Sequence, residues 1–311
     1  MRALLLVVAP NRLLARIADA VAPLAVVAVI LARLAPSHSL SNDSDWLLAA
    51  LVLLTAIQID PGELAQLKRR LTVILALAVG VLLADTALAW IVSRPFGGAT
   101  RDGILSLGLA STEVASVGLI GLAGGETVFA LGILTVSLVA SAILGPLLAG
   151  ALAHTTGHGG SLAILGRFAL VVLLPLAVGL VIRGVRPHLQ KIEDQANGLS
   201  ALTVCVLLYA AVSGVSGSHE LLSELLGGAV FIAVASAFGI GLAYGLRDRA
   251  VDPTVIVFTT GLRDFAVAAT LARQAFGARA AGVGGVYGAL MLLTGALAAT
   301  LLRRRATRTR P

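Results

Sequence analysis

Residues 107–125, LGLASTEVASVGLIGLAGG, and residues 254–272, TVIVFTTGLRDFAVAATLA, are apolar stretches that carry charge in their middles. In the first the charge is Glu113; in the second it is the Arg263-Asp264 pair. A charged side chain at a bilayer centre costs about 2.5 to 3.5 kcal/mol even on the lenient insertion scale, so such residues face a partner, a cavity or a substrate path. The two stretches also share a layout. Each has a hydroxyl pair (Ser111-Thr112, Thr259-Thr260), then charge, then small residues and a second apolar run. The paired broken helices of an inverted-repeat transporter take this form in sequence.

Outward from these stretches the chain is 58% hydrophobic and only 13% charged, more apolar than a soluble globular domain requires. Apolar runs broken by charge, proline or glycine divide it into ten expected spans. They lie near 18–35, 46–59, 71–93, 103–122, 126–152, 164–183, 198–216, 224–245, 252–273 and 280–302. The second is short, and the half-polar turn Gln58 to Leu67 extends it. The net charge of +7 does not call for nucleic acid, because the arginines sit between spans and form no soluble face. They report topology instead. With both termini inside, 16 Lys and Arg lie on the cytoplasmic side and six, Arg33, Arg94, Arg101, Arg167, Arg273 and Arg279, lie outside. The expected location is therefore a cell inner or plasma membrane, multi-pass, with the lipid bilayer as partner.

The start, MRALLLVVAPNRLLARIADAVA, reads as a retained interfacial segment and not a cleaved signal, since Arg12 and Arg16 interrupt the apolar run. Cys205 is the single cysteine, so no intrachain disulfide forms and no thiol or metal cluster is expected. No cofactor is expected either.

Two matches point to an internal repeat. PLAVVAVILARLAP from Pro23 and PLAVGLVIRGVRP from Pro175 begin 152 positions apart, and the two hydroxyl pairs stand 148 apart. Both give a repeat of half the chain. The expected organisation is a first five-helix repeat over 1–153, an inter-repeat loop at 154–163 and a second repeat over 164–305. Five spans per repeat invert the second half relative to the first. The fold class is thus an all-α membrane protein of ten transmembrane helices with discontinuous fourth and ninth spans. His154 and His158 have i, i+4 spacing, but the glycines around them favour a solvated loop over a metal site.

Each charged position carries two readings. Small and hydroxylated neighbours around Glu113, including Ser111, Thr112 and Ser116, allow an unwound turn to present backbone groups to a ligand; the bland alternative is a packing hydrogen bond. Gly261 frees the backbone in the ninth span, and Asp264 follows early in the next half-helix, where it is either a site residue or an N-terminal cap. Arg263 stays protonated and must pair with Glu113, Asp264 or an anionic substrate. Asp85, in VLLADTALAW, is a proton-relay residue or a buried hydrogen-bonded acid. The candidate substrate and ion site is Ser111, Thr112, Glu113, Ser116, Thr259, Thr260, Arg263 and Asp264, with Asp85 as a possible relay. Trp46 and Trp90 read as interface anchors and the tail RRRATRTRP as a headgroup contact.

At these residues the chain resembles the bile acid:sodium symporter family. The resemblance rests on the sixth-span form PLAVGLVIRGVRP and on GLRDFAVAATLA, which is similar to that family's ninth-span motif, and it covers essentially the whole chain. It implies secondary transport of a small organic anion through a panel domain and a core domain, with substrate near the helix crossing. The chain departs from the family where sodium-coupled members carry a Glu two residues before the ninth-span glycine and Gln-Asn after it. Those positions are Thr259, Arg263 and Asp264 here, and the fourth-span Asn falls at or near Ser116. A fixed guanidinium replaces the electrostatic role of sodium, so transport is expected to be proton-driven or facilitative. Two alternatives are a cation/proton antiporter, for which Glu113 and Asp264 speak, and a metalloid (arsenite) efflux carrier, whose membrane-embedded Cys has no counterpart in the fourth span. A membrane enzyme is disfavoured because no nucleophile-base pair or metal spacing occurs near the midplane.

Overall fold

Long runs of Leu, Ala and Val have no alternative to helix in an apolar solvent, because every backbone N–H and C=O must be satisfied within its own segment. The computed structural model, which describes residues 14, 20–37, 44–152, 161–185, 193–213, 218–247 and 251–308, is accordingly almost wholly helical. The expected interfacial segment before residue 18 and the pair His154 and His158 lie outside the described residues, apart from Leu14.

The helices are α1 (Val21–Leu34), α2 (Ser44–Gln58), α3 (Pro61–Gln66), α4 (Leu71–Ser93), α5 (Gly98–Leu109), α6 (Ala115–Ala123) and α7 (Thr127–Leu152). There follow α8 (Ser161–Phe168), α9 (Leu174–Val185), α10 (Glu193–Ser213), α11 (Ser218–Gly245), α12 (Pro253–Gly261), α13 (Phe265–Phe276) and α14 (Ala281–Arg308). A π-helical turn, Ala169–Leu173, joins α8 to α9 just before Pro175, whose missing N–H leaves a carbonyl without its usual donor. Among the described residues, six stretches are long and apolar enough to cross a membrane: 67–93, 127–152, 162–185, 195–213, 220–245 and 278–304. Val21–Leu34 and Ser44–Gln58 are apolar and shorter.

The stretches expected to span at 103–122 and 252–273 are each split into two short helices, α5 with α6 and α12 with α13. The second expected span is not lengthened by its polar turn. It stops at Gln58, and Asp60 Oδ1 accepts the Gly62 N–H at 2.7 Å, which turns the chain into the separate helix α3. Glycines let α14 come close to the breaks. A Cβ at Gly284 would sit 3.1 Å from Phe265 O, and one at Gly288 would lie 2.6 Å from the Phe265 ring. This is small-residue packing of the kind that brings helices together in lipid, where apolar burial supplies little drive.

Candidate functional site

Each break would expose backbone donors and acceptors in an apolar interior, and the two breaks meet to satisfy one another. Glu113 N–H donates to Leu262 O at 3.0 Å, and Asp264 N–H donates to Ser111 O at 2.8 Å. These two bonds make an isolated antiparallel bridge between Thr112 and Arg263. Side chains finish the work. Thr112 Oγ1 donates to Thr259 O at 3.0 Å and Ser116 Oγ to Glu113 O at 2.6 Å. All eight residues of the expected site are buried and gathered at or beside this crossing.

The carboxylates cap the half-helices. Asp264 Oδ1 accepts from Ala266 N at 2.9 Å and Val267 N at 3.0 Å, so Asp264 is the N-cap of α13. Glu113 Oε1 accepts from Ala115 N at 3.3 Å at the start of α6. Glu113 Oε2 is buried without a hydrogen-bond partner, as are the hydroxyls of Ser111 and Thr260. Asp264 lies close enough to Glu113 for the two carboxylates to interact electrostatically.

Arg263 is fully buried and interacts electrostatically with Asp264, as one of the sequence alternatives had it, but its contact ion pair is with a residue not put forward as its partner. Its Nη1 lies 3.2 Å from Asp85 Oδ2, and its Nη2 donates to Ala110 O, the open carbonyl at the end of α5. The Asp85 contact is an ion pair without hydrogen-bond alignment, since neither Asp85 oxygen accepts a bond of good geometry. Asp85, on the unbroken helix α4, therefore belongs to the crossing as the counter-charge of Arg263. Gly261 also differs from expectation. It ends α12 with no unusual backbone angle, and its role is close approach: a Cβ there would meet Ser236 Oγ at 3.0 Å and Ser236 Cα at 3.3 Å.

Three supporting residues escape sequence reasoning. Ser137 Oγ accepts the Thr112 N–H at 2.9 Å, and Ser141 Oγ donates to Leu109 O at 2.7 Å. Tyr287 Oη accepts the Arg263 N–H at 2.8 Å. The one available signal was two serines at i, i+4 on the largely apolar α7, a single face that serves the end of α5 and the break that follows it.

The model of the SBF-like CPA transporter family (DUF4137) matches residues 19–303, and the chain belongs to that family. The family is related to the bile acid:sodium symporters that the sequence resembles, and is not specifically that family. No curated protein matches the chain. The protein is thus an integral multi-pass membrane protein of a secondary transporter family.

Proposed function

From membership of the SBF-like CPA transporter family, we propose that this protein is a secondary transporter whose helix crossing binds a proton or another monovalent cation on Glu113 and Asp264. One observation carries the reading. Every positive feature of the crossing is already matched by a resident anion. The Arg263 guanidinium faces Asp85, the start of α13 is capped by Asp264, and the start of α6 faces Glu113. If all four side chains are ionised, Asp85, Glu113, Asp264 and Arg263 sum to two negative charges. Such a site favours a cation, and an organic anion would first have to displace a carboxylate from a buried pair. The cation/proton antiporter reading is therefore preferred to the organic-anion reading.

The architecture that goes with it is ten spans in two inverted five-helix repeats, with the crossing near the midplane. Support comes from lengths. The nine residues of α12 and twelve of α13 reach about 32 Å at 1.5 Å per residue, close to the thickness of a hydrocarbon core. Mechanistically, Glu113 Oε2, buried without a hydrogen-bond partner, is the acceptor that takes the proton or cation, and binding there relieves its repulsion from Asp264. Arg263 stays paired with Asp85 throughout and holds the Ala110 carbonyl, so it fixes the shape of the first break.

The test is flux in proteoliposomes loaded with a pH-sensitive dye, driven in turn by sodium, potassium, choline and a panel of organic carboxylates. A cation gradient should move protons, and Glu113→Gln should abolish that movement while the protein still folds. Asp264→Asn keeps the cap and removes the charge, and it should weaken exchange without unfolding α13. Uptake of a carboxylate with no cation-driven proton movement would reject this reading and restore the organic-anion one.

A further inference from the structure

Asp45 stands far from the crossing, in the first turn of α2, yet it draws together three elements distant in sequence. Its Oδ2 is 2.8 Å from Arg167 Nη2 and accepts from Arg167 Nε at 2.9 Å, at the end of α8. Gln274 Nε2, in the last turn of α13, lies 3.4 Å from both Asp45 oxygens. Arg273, beside it, interacts electrostatically with the same carboxylate. The Asp45 side chain is only 11% exposed while that of Arg167 is 66% exposed, so the cluster is a rim with a shielded acid at its centre.

The elements it joins differ in role. Helix α2 packs on α9 and α10, which are unbroken, whereas α13 is half of a broken span and packs on α14 and α5. Helix α13 is also the strut that carries Asp264. It runs about 15 Å from its N-cap, Asp264, at the crossing to Gln274 at the rim. A helix is stiff over that length, so whatever holds its far end also fixes where Asp264 sits.

We propose that Asp45, with Arg167 on one side and Gln274 and Arg273 on the other, is a gate that closes the Asp45 end of the route to the crossing. The proposal rests on the transporter reading above, in which the crossing must open alternately to two faces. In the described conformation this end is shut. Opening requires the Asp45 carboxylate to let go of Gln274 and Arg273, after which α13 and its Asp264 separate from α2 and α8. A single shielded carboxylate shared among several donors suits that task, because exposed donors such as Arg167 are readily taken over by water once the acid moves.

The experiment reads opening directly and needs no cargo. In protein carrying Cys205→Ser and Thr270→Cys, one turn nearer the crossing than Gln274, the labelling rate with a water-soluble maleimide is measured in nanodiscs. Thr270 is 1% exposed, so labelling should be slow. Asp45→Ala should raise the rate at least fivefold, and Asp45→Glu, which keeps a carboxylate for Arg167, Gln274 and Arg273, should leave it within twofold of the parent. A second reporter at the other end of the span, Thr254→Cys, should not respond to Asp45→Ala. An unchanged rate at Thr270→Cys overturns the gate, and so does an equal rise at both reporters, which marks general loosening. Because labelling is independent of flux, a positive result in protein that moves no cation would count against the transport reading and leave the gate standing.

Discussion

Removing Asp85 should damage this protein more than its place on an unbroken apolar helix suggests. At 3.2 Å from Arg263, two unit charges attract by roughly 5 kcal/mol at an effective dielectric near 20. Desolvation offsets much of that attraction, but breaking a buried pair from one side leaves an uncompensated charge and costs about 3 to 5 kcal/mol. At the low end of thermal sensitivity, roughly 2 °C per kcal/mol, Asp85→Leu should lower the melting temperature by about 6 to 10 °C. Arg263→Met should do similar harm by stranding the acid. The double variant Asp85→Leu with Arg263→Met removes both charges and keeps the volume. It should be no less stable than either single variant, giving a coupling of at least about 3 kcal/mol, the top of the usual range. The cycle is read by thermal unfolding in detergent. A parallel cycle of Glu113→Gln against Arg263→Met should give less than about 1 kcal/mol. Additive losses for Asp85 and Arg263, or a stronger coupling of Arg263 to Glu113, would refute the pairing.

Other expected outcomes follow from the same geometry. Tyr287→Phe strands the buried Arg263 N–H and should cost about 1 to 3 kcal/mol, read by the same unfolding assay, with no change in helix content by circular dichroism. Gly108→Ala places a Cβ 2.5 Å from both Ala89 Cβ and Asp85 O, so α4 and α5 must part; the loss of about 1 to 3 kcal/mol should come with weakened cation exchange, since Asp85 moves with that backbone. A reporter fused after Pro311 should be active on the cytoplasmic side, as the 16 to 6 distribution of Lys and Arg requires; activity only on the outer face would overturn the topology.

Much of the crossing was legible in sequence because its ingredients are locally abnormal. Hydroxyls and charge inside LGLASTEVASVGLIGLAGG and TVIVFTTGLRDFAVAATLA have no reason to be there unless the helix is interrupted, and both helices are interrupted at those residues. What was illegible is partnership. Between Val73 and Val92 helix α4 is apolar on every side except at Asp85 and Thr86, so nothing in its pattern fixes its rotation, and the choice of Asp85 for Arg263 is made by packing across 178 positions. Ser137, Ser141 and Tyr287 were passed over for a related reason: a lone hydroxyl in an apolar helix usually bonds its own turn, as Thr135 Oγ1 does to Leu131 O at 2.8 Å. Gly261 misled because glycine signals freedom in sequence, while packing against Ser236 uses only its lack of a side chain.

The bridge between Thr112 and Arg263 has a mechanical corollary. Because each break supplies both the donor and the acceptor that the other lacks, sliding one past the other by a single residue would strand four polar groups in the apolar interior at once. The four half-helices are therefore riveted at their centre and travel as one carriage. Flexure has to be found at the periphery, where the left-handed turn at Gly124, the positive backbone angle at Gly277 and the π turn at Ala169–Leu173 depart from regular helix.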